Sequence, residues 1–332
     1  MHNESSDSFH DPVLTAESLE CLRPALETGE LLVDCTVGGG GHSEVFLDAF
    51  SHVALLGIDR DSDALAVAAR RLERFGSRVE LAKGNFSQLE QLLTKRRLKD
   101  AAAVFYDLGV SSFQLDTPQR GFQYRWGASI DMRMDAESGE TAGDIVNNYS
   151  SSDLKRILNE YGEERFADRV ANAIVKRRRE ENFDDAGDLA EVVKAAIPAA
   201  TRRTGPHPAR RSFQALRIAV NNELGSLKQS LASALSLLAP GGGLAAISYH
   251  SLEDRIVKSA FTEAAIGCIC PRGLPVCLCG GVEQVRILTR KPIKPGDDEI
   301  SRNPRARSAS LRAAEKLGGQ GSRGHTAVGG SA

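Results

Sequence analysis

Val33-Asp34-Cys35-Thr36-Val37-Gly38-Gly39-Gly40-Gly41-His42 is the stretch whose reading decides the fold. An apolar run over 31–33 ends in an acid and passes at once into four glycines, and a helix-compatible segment over 43–49 follows. Strand, tight turn and helix start, in that order, grip nucleotide-like ligands in open α/β sheets. Four glycines without Cβ atoms let the backbone approach a ligand closely and adopt positive φ. A glycine-rich turn is equally the composition of an ordinary surface loop, so the segments downstream have to decide.

They repeat the pattern. A strand predicted over 53–58 ends at Asp59, 21 residues after Gly38, where nucleotide-binding α/β folds carry the carboxylate that accepts the ribose hydroxyls. A third candidate, 79–81, leads into Gly84-Asn85-Phe86, and a fourth, 101–106, ends at Asp107-Leu108-Gly109. Four strands thus deliver a polar or aromatic group at their carboxyl ends, the edge at which open sheets bind ligands.

The glycines argue against a dinucleotide. Gly-x-Gly-x-x-Gly fails in both registers, with Ser43 or Glu44 standing where the third glycine belongs. Asp34 before the turn would repel a pyrophosphate but suits a cationic amine. S-adenosylmethionine carries an ammonium and a sulfonium and no phosphate, so the charges favour it, with Asp34 as a candidate ligand.

The chain has 332 residues, room for two domains or one α/β domain with a large insertion. Hydrophobic residues make up 41% and charged residues 26%, as in ordinary soluble proteins. No apolar run nears the ~20 residues that span a membrane. The polar, acidic N-terminus lacks a signal pattern, so a cytoplasmic location is expected. A net charge of −2 leaves nucleic-acid binding to local clusters.

A helix is predicted over 61–75, capped by Asp61 and ended by Gly76. A single long helix is predicted over 213–238, because its leucines and valine recur every three or four residues, and a fifth strand over 244–248. Between 113 and 211 the alternation lapses into helical patterns over 153–160, 164–178 and 188–197, the last ended by Pro198. The expected architecture is a Rossmann-like α/β sheet formed by 1–112 and 212–316. An all-α substrate-recognition domain, 113–211, is inserted at its ligand edge, and a Gly/Ser/Ala-rich tail, 317–332, is expected to be disordered.

Further blocks fit one family. Asp107-Leu108-Gly109-Val110-Ser111-Ser112, Asp131-Met132-Arg133-Met134-Asp135, Tyr161-Gly162-Glu163-Glu164-Arg165 and Ser212-Phe213-Gln214-Ala215-Leu216-Arg217 are four of them. Ser251-Leu252-Glu253-Asp254-Arg255 and Asn303-Pro304-Arg305-Ala306-Arg307-Ser308 are two more. Jointly, over 10–316, they resemble the MraW-type methyltransferases, the small-subunit ribosomal RNA methyltransferase H family. The resemblance implies S-adenosylmethionine-dependent methyl transfer to the N4 amine of a cytidine in 16S rRNA, at the decoding centre of the small ribosomal subunit or its precursor. No membrane or DNA partner is expected. The family's cofactor contacts carry over to Gly40, Gly41, His42, Asp59, Phe86, Asp107 and Gln114.

A cytosine amine is a poor nucleophile because its lone pair is delocalised into the ring, so an acceptor for its hydrogen bonds is needed. Asp107 occupies the place where other amino-methyltransferases put an acid or amide, but their prolines and aromatic are absent. A base-stacking ring is therefore expected among Trp126, Tyr124, Phe113 and Phe122, with Trp126 ranked first. His42 reads as a positioned loop residue, and His250 as a catalytic or RNA contact or, equally, a satisfied structural histidine. Glu253 and Asp254 fit a helix start.

Arg202, Arg203, Arg210 and Arg211, in a loop with Pro and Gly and no acid, are the leading candidates for RNA phosphate contacts. Basic runs at 95–97, 176–179 and 302–312 are weaker ones, and for 176–179 a solvated helix face is the better reading. Cys268, Cys270, Cys277 and Cys279 could bind zinc, but C-x-C is tighter than usual zinc spacing, and reduced cysteines in a loop are the alternative. Two further functions compete. The broken fingerprint and Asp34 speak against a nucleotide-dependent oxidoreductase, and the intact acids speak against a non-catalytic ribosome-binding protein with a vestigial pocket.

Overall fold

The computed structural model describes residues 12–203, 205–267 and 281–318. Seven strands form one sheet: β1 (Leu31–Asp34), β2 (Ala54–Asp59), β3 (Val79–Lys83), β4 (Ala101–Asp107), β5 (Leu238–Ser248), β6 (Val285–Ile287) and β7 (Ser310–Lys316). Their order is β3-β2-β1-β4-β5-β7-β6. β1 pairs in parallel with β2 and β4, and β4 with β5, whereas β7 runs antiparallel to β5 and β6. The chain leaves β1 toward β2 on one side and returns on the other through β4. That reversal opens a crevice at the carboxyl ends of β1 and β4, where such sheets bind ligands.

Strand composition follows from burial on both faces. Leu32, Leu55, Ala103 and Phe105 point into a core shared with helices Thr15–Thr28 and Gly41–Ala49. Their neighbours Val33, Leu56, Val104 and Tyr106 point into another, shared with helices Glu223–Leu237 and Ser251–Ala265. A strand covered on both faces reads as a continuous apolar run, which is why β1, β2 and β4 are visible in the sequence. β6, β7 and the helix Thr15–Thr28 are not anticipated by it. β7 is short of β-branched residues, and it buries Arg312, which donates to both oxygens of Asp254 at 2.7 and 3.0 Å.

A third core is helical. It joins helices Ala142–Asn148, Ser151–Gly162, Ala167–Arg177 and Ala186–Ala196. Phe213, Ala215 and Leu216 pack into the same core from helix Arg210–Asn221. The single long helix expected over 213–238 is two helices. Asn222 at φ 47° caps the first and starts the second, Glu223–Leu237. Asn is among the few residues that enter the left-handed region at low cost, and a leucine stripe does not reveal the break.

The four cysteines at 268, 270, 277 and 279 and the tail beyond 318 lie outside the described residues. No helix among the described residues is long and apolar enough to cross a membrane.

Candidate active site

The glycine turn after β1 uses its special conformations at two positions, with φ +51° at Gly38 and +82° at Gly40. A Cβ on Gly40 would press on Leu72 at 3.2 Å, so this residue packs against the neighbouring helix, while Gly38, Gly39 and Gly41 face a cavity of about 1070 Å³. Asp59, Phe86, Asp107, Gln114, His42 and His250 line the same cavity.

Asp34 does not. It is 1% exposed, with Ser43 Oγ donating to it at 2.6 Å and the Thr36 amide at 3.1 Å. Burial pushes its carboxyl up to about 6. The structure thus places Asp34 behind the turn, holding it to the following helix, and away from the cavity in which an amine would sit.

Asp59 ends β2 with one oxygen accepting from the Gly38 amide and the other from the Asp61 amide, each at 2.9 Å. Burial raises its pKa. A carboxylate has about four acceptor positions, so Asp59 keeps acceptor capacity for a ligand. Asp61 caps the next helix as the sequence predicts, accepting from Asp63 at 3.0 Å. Gln114 Nε2 also donates to it at 2.8 Å, and Arg120 Nη1 forms an ion pair with it at 2.8 Å without a well-directed hydrogen bond. Gln114 meanwhile takes the Ser111 amide on its carbonyl oxygen. Arg120 gives no sequence signal for this role.

Asp107 closes β4. Tyr249 Oη donates to Asp107 Oδ1 at 2.9 Å, and His42 Nδ1 lies 3.5 Å from Oδ2. The Asp107 amide donates to Thr36 Oγ1 at 2.6 Å, tying β4 to the glycine turn. Burial pushes the Asp107 carboxyl up to about 7; the Tyr249 hydrogen bond opposes that rise and Glu253 adds to it. His42 Nε2 lies 2.8 Å from the Val13 carbonyl, which can only accept, so the ring nitrogen there carries the proton. Burial lowers the His42 pKa.

His250 caps helix Ser251–Ala265, its Nδ1 accepting from the Glu253 amide at 3.4 Å. Its Nε2 lies 3.1 Å from Glu253 Oε1 without a well-directed hydrogen bond. Arg217 donates to both oxygens of Glu223 at 2.9 Å, a pairing that depends on the break at Asn222. These groups form a polar wall of the cavity that spacing alone cannot show.

The rings sort differently from the sequence ranking. Trp126 is 67% exposed, packs beside Gly187 and does not line the cavity. Tyr124 lines it, but His207 stacks on that ring at 4.7 Å and Phe213 meets it edge-on at 5.5 Å. Phe122 is buried. Phe113 lines the cavity, is 45% exposed and has no ring partner among the described residues.

Among the arginines, only Arg210 of the expected quartet reaches the cavity. Arg202 donates to the Lys194 carbonyl and Arg211 to that of Glu163. In the 302–312 run, Arg305 pairs with Asp116 and Arg312 with Asp254, while the exposed Arg307 lines the cavity. Arg177 and Arg178 make structural bonds to Asp188 and to the Val146 and Tyr149 carbonyls.

The residues fit S-adenosylmethionine. Asp59 and Asp107 present acceptors to the cavity, and the only ion-pair partner of Asp107 among the described residues is His42. Asp107 therefore offers a cationic ligand a carboxylate that no Lys or Arg among the described residues occupies.

Comparison with known proteins agrees. The profile of the MraW methylase family matches residues 7–317. Proteins named ribosomal RNA small subunit methyltransferase H are similar along nearly their whole length. That of Heliobacterium modesticaldum is 50% identical over 310 residues, 93% of this chain and 98% of that protein. That of Syntrophotalea carbinolica is 50% identical over 309 residues, again 93% and 98%. That of Geobacter sulfurreducens is 50% identical over 309 residues, 93% and 99%. With the family profile matched along most of the sequence, and a glycine turn and two strand-end carboxylates converging on one cavity, the chain belongs to the MraW methylase family and uses S-adenosylmethionine.

Proposed function

We propose that the chain methylates the exocyclic N4 amine of a cytidine in 16S rRNA, at the decoding centre of the small ribosomal subunit or its precursor. The RNA class comes from the names of the relatives, and the target atom is argued from Asp107. S-adenosylmethionine supplies an electrophilic methyl group on a sulfonium.

The observation that carries the reading is a carboxylate fixed on both sides, by Tyr249 and His42, at the cavity end of β4. Ionised, it offers acceptors only, the complement of an amine with two N–H donors. Accepting one of those hydrogen bonds draws nitrogen lone-pair density out of the ring and orients it for in-line attack. After transfer the same oxygen takes the surplus proton, leaving a neutral methylamino group.

A base within folded RNA has to be unstacked to reach that point, and Phe113 gives the extruded ring a free aromatic face. The helical segment 113–211 contributes Phe113, Phe122, Tyr124 and Arg210 to the cavity, which supports its reading as the substrate-recognition part. Arg202, Arg203 and Arg211, outside the lining, would meet phosphates farther along the RNA.

The test is mass mapping of 16S rRNA from cells lacking the gene, complemented with the wild-type chain or with Asp107→Asn. One N4-methyl mark on a cytidine should vanish, return with the wild type and stay absent with the variant. Loss of a ring-carbon or ribose methyl instead would sink the reading.

A further inference from the structure

Amine activation uses Asp107 and leaves Arg217, on the same cavity wall, without a task. Arg217 Nε and Nη2 donate to the two oxygens of Glu223 at 2.9 Å each, so its planar fork is fixed along one edge. Nη1 hydrogen-bonds to none of the described residues and is not sealed within the protein. The side chain is 16% exposed and lines the cavity. From there the wall runs on to the end of β4. Glu253 Oε1 lies 4.0 Å from Arg217 Nη2, Glu253 Oε2 accepts the Tyr249 amide at 2.9 Å, and Tyr249 Oη donates to Asp107. One surface thus carries a fixed acceptor from the sheet, Asp107, and a fixed donor from helix Arg210–Asn221, Arg217 Nη1.

We infer that Arg217 Nη1 donates to the carbonyl oxygen O2 of the target cytosine while Asp107 accepts from its N4 amine, which makes Arg217 a specificity-determining residue. The inference rests on the cytidine N4 reading and adds the group that recognises the other end of the base. The charges favour a neutral acceptor. Glu223 already neutralises the guanidinium and Glu253 stands beyond it, so a phosphate, or the carboxylate of the methyl donor, would bring a further anion beside two acids. A base carbonyl brings none. Held at Nε and Nη2, the guanidinium cannot turn to follow a ligand, so it fixes where the acceptor has to lie. Adenine has the amine without the carbonyl, and uracil has carbonyls without the amine. Either base leaves a fixed polar group of the wall unpaired, the arrangement by which a site rejects an analogue most strongly. Glu223 acts through Arg217 and is a positioning residue.

Small subunits reconstituted with cytidine or with 2-thiocytidine at the position located by mass mapping, and methylated by the full-length chain in a single turnover, test it. A thiocarbonyl is a poor acceptor, so the wild type should slow roughly ten- to a hundredfold on the thio base, the range of one hydrogen bond to a charged group. Arg217→Met keeps the length of the side chain and loses its donors. It should slow by about that factor on cytidine and lose little more on 2-thiocytidine, with S-adenosylmethionine affinity by calorimetry unchanged. Glu223→Ala, which frees the fork, should lose part of the same sensitivity to sulfur. Equal wild-type rates on the two bases would overturn the inference, and that arm holds even if Arg217→Met does not fold. Penalties that multiply in Arg217→Met would overturn it too, since sulfur would then act by its bulk and the arginine by support of the wall. Weakened S-adenosylmethionine binding in Arg217→Met would assign the arginine to the cofactor instead. Methylation by the wild type at another atom or nucleotide would overturn the cytidine N4 reading itself.

Discussion

Asp59 and Phe113 show how much a single side chain can be asked to carry. Asp59 fixes the glycine turn through Gly38 and keeps acceptor positions free toward the cavity. Hydrogen bonds to a charged group contribute ~1.5–3 kcal/mol each, so Asp59→Ala should raise the S-adenosylmethionine dissociation constant at least about tenfold. Calorimetry on the folded variant checks this, and unchanged affinity would remove Asp59 from ligand contact. Phe113 has a different task. Base–aromatic stacking is worth ~1–3 kcal/mol, so Phe113→Ala should slow single-turnover methylation roughly ten- to a hundredfold with cofactor affinity intact. Trp126→Ala, outside the cavity, should leave that rate close to wild type.

The break at Asn222 matters most at the level of elements. Because the chain turns there, Arg217 on one helix closes on Glu223 of the next, and Asn221 donates to the Met132 carbonyl at 2.7 Å while accepting the Met134 amide at 2.8 Å. Arg60, from the end of β2, reaches the Asn221 carbonyl at 3.1 Å. Sheet and helical core are thus joined where the second helix begins. A β-branched residue in the left-handed region costs on the order of 1–2 kcal/mol, so Asn222→Val should lower stability by about that much. Asn222→Gly should be nearly neutral. Equal denaturation midpoints for the two variants would mean that the turn tolerates other conformations.

Across the whole molecule the buried carboxylates set a pH dependence. Asp34 and Asp107 have pKa values raised by burial to about 6 and about 7, from the 3.8 of an unburied carboxyl. A group that binds its proton more tightly when folded adds stability at low pH and loses it as pH rises through the folded value. From pH 5 to 8 these two carboxyls should withdraw roughly 4 kcal/mol from the stability of the ligand-free protein, offset in part by buried His42, whose lowered pKa adds stability over the same rise, so urea denaturation should show a net loss. A flat profile would mean that these carboxyls titrate normally. RNA binding is distributed on the same scale. Neutralising Arg202, Arg203, Arg210 and Arg211 together should flatten the slope of log affinity against log salt by about one for each phosphate left without its arginine, and the variant that spares cavity-lining Arg210 should keep its cofactor affinity. An unaltered slope would take these arginines, three of them in helices Ala199–Arg202 and Arg210–Asn221, off the RNA.

The sequence by itself determined the sheet strands buried on both faces and the strand-end placement of Asp59, Phe86 and Asp107. Local rules govern these features: apolar runs mark covered strands, glycine permits the turn, and open sheets bind at their carboxyl edge. It also marked Asp61 as a cap, because that bond is made two residues away. Tertiary structure alone decided what those groups touch. Asp34, adjacent in sequence to the turn, faces inward to Ser43, whereas Tyr249, 142 residues away, holds Asp107. Trp126 lies outside the cavity and Phe113 in it, although both follow the same strand within 20 residues. Arg120 reaches Asp61, and β7 inserts beside β5 with little propensity of its own. Such outcomes depend on long-range packing and on which face an element turns to its neighbour, and no local pattern encodes either.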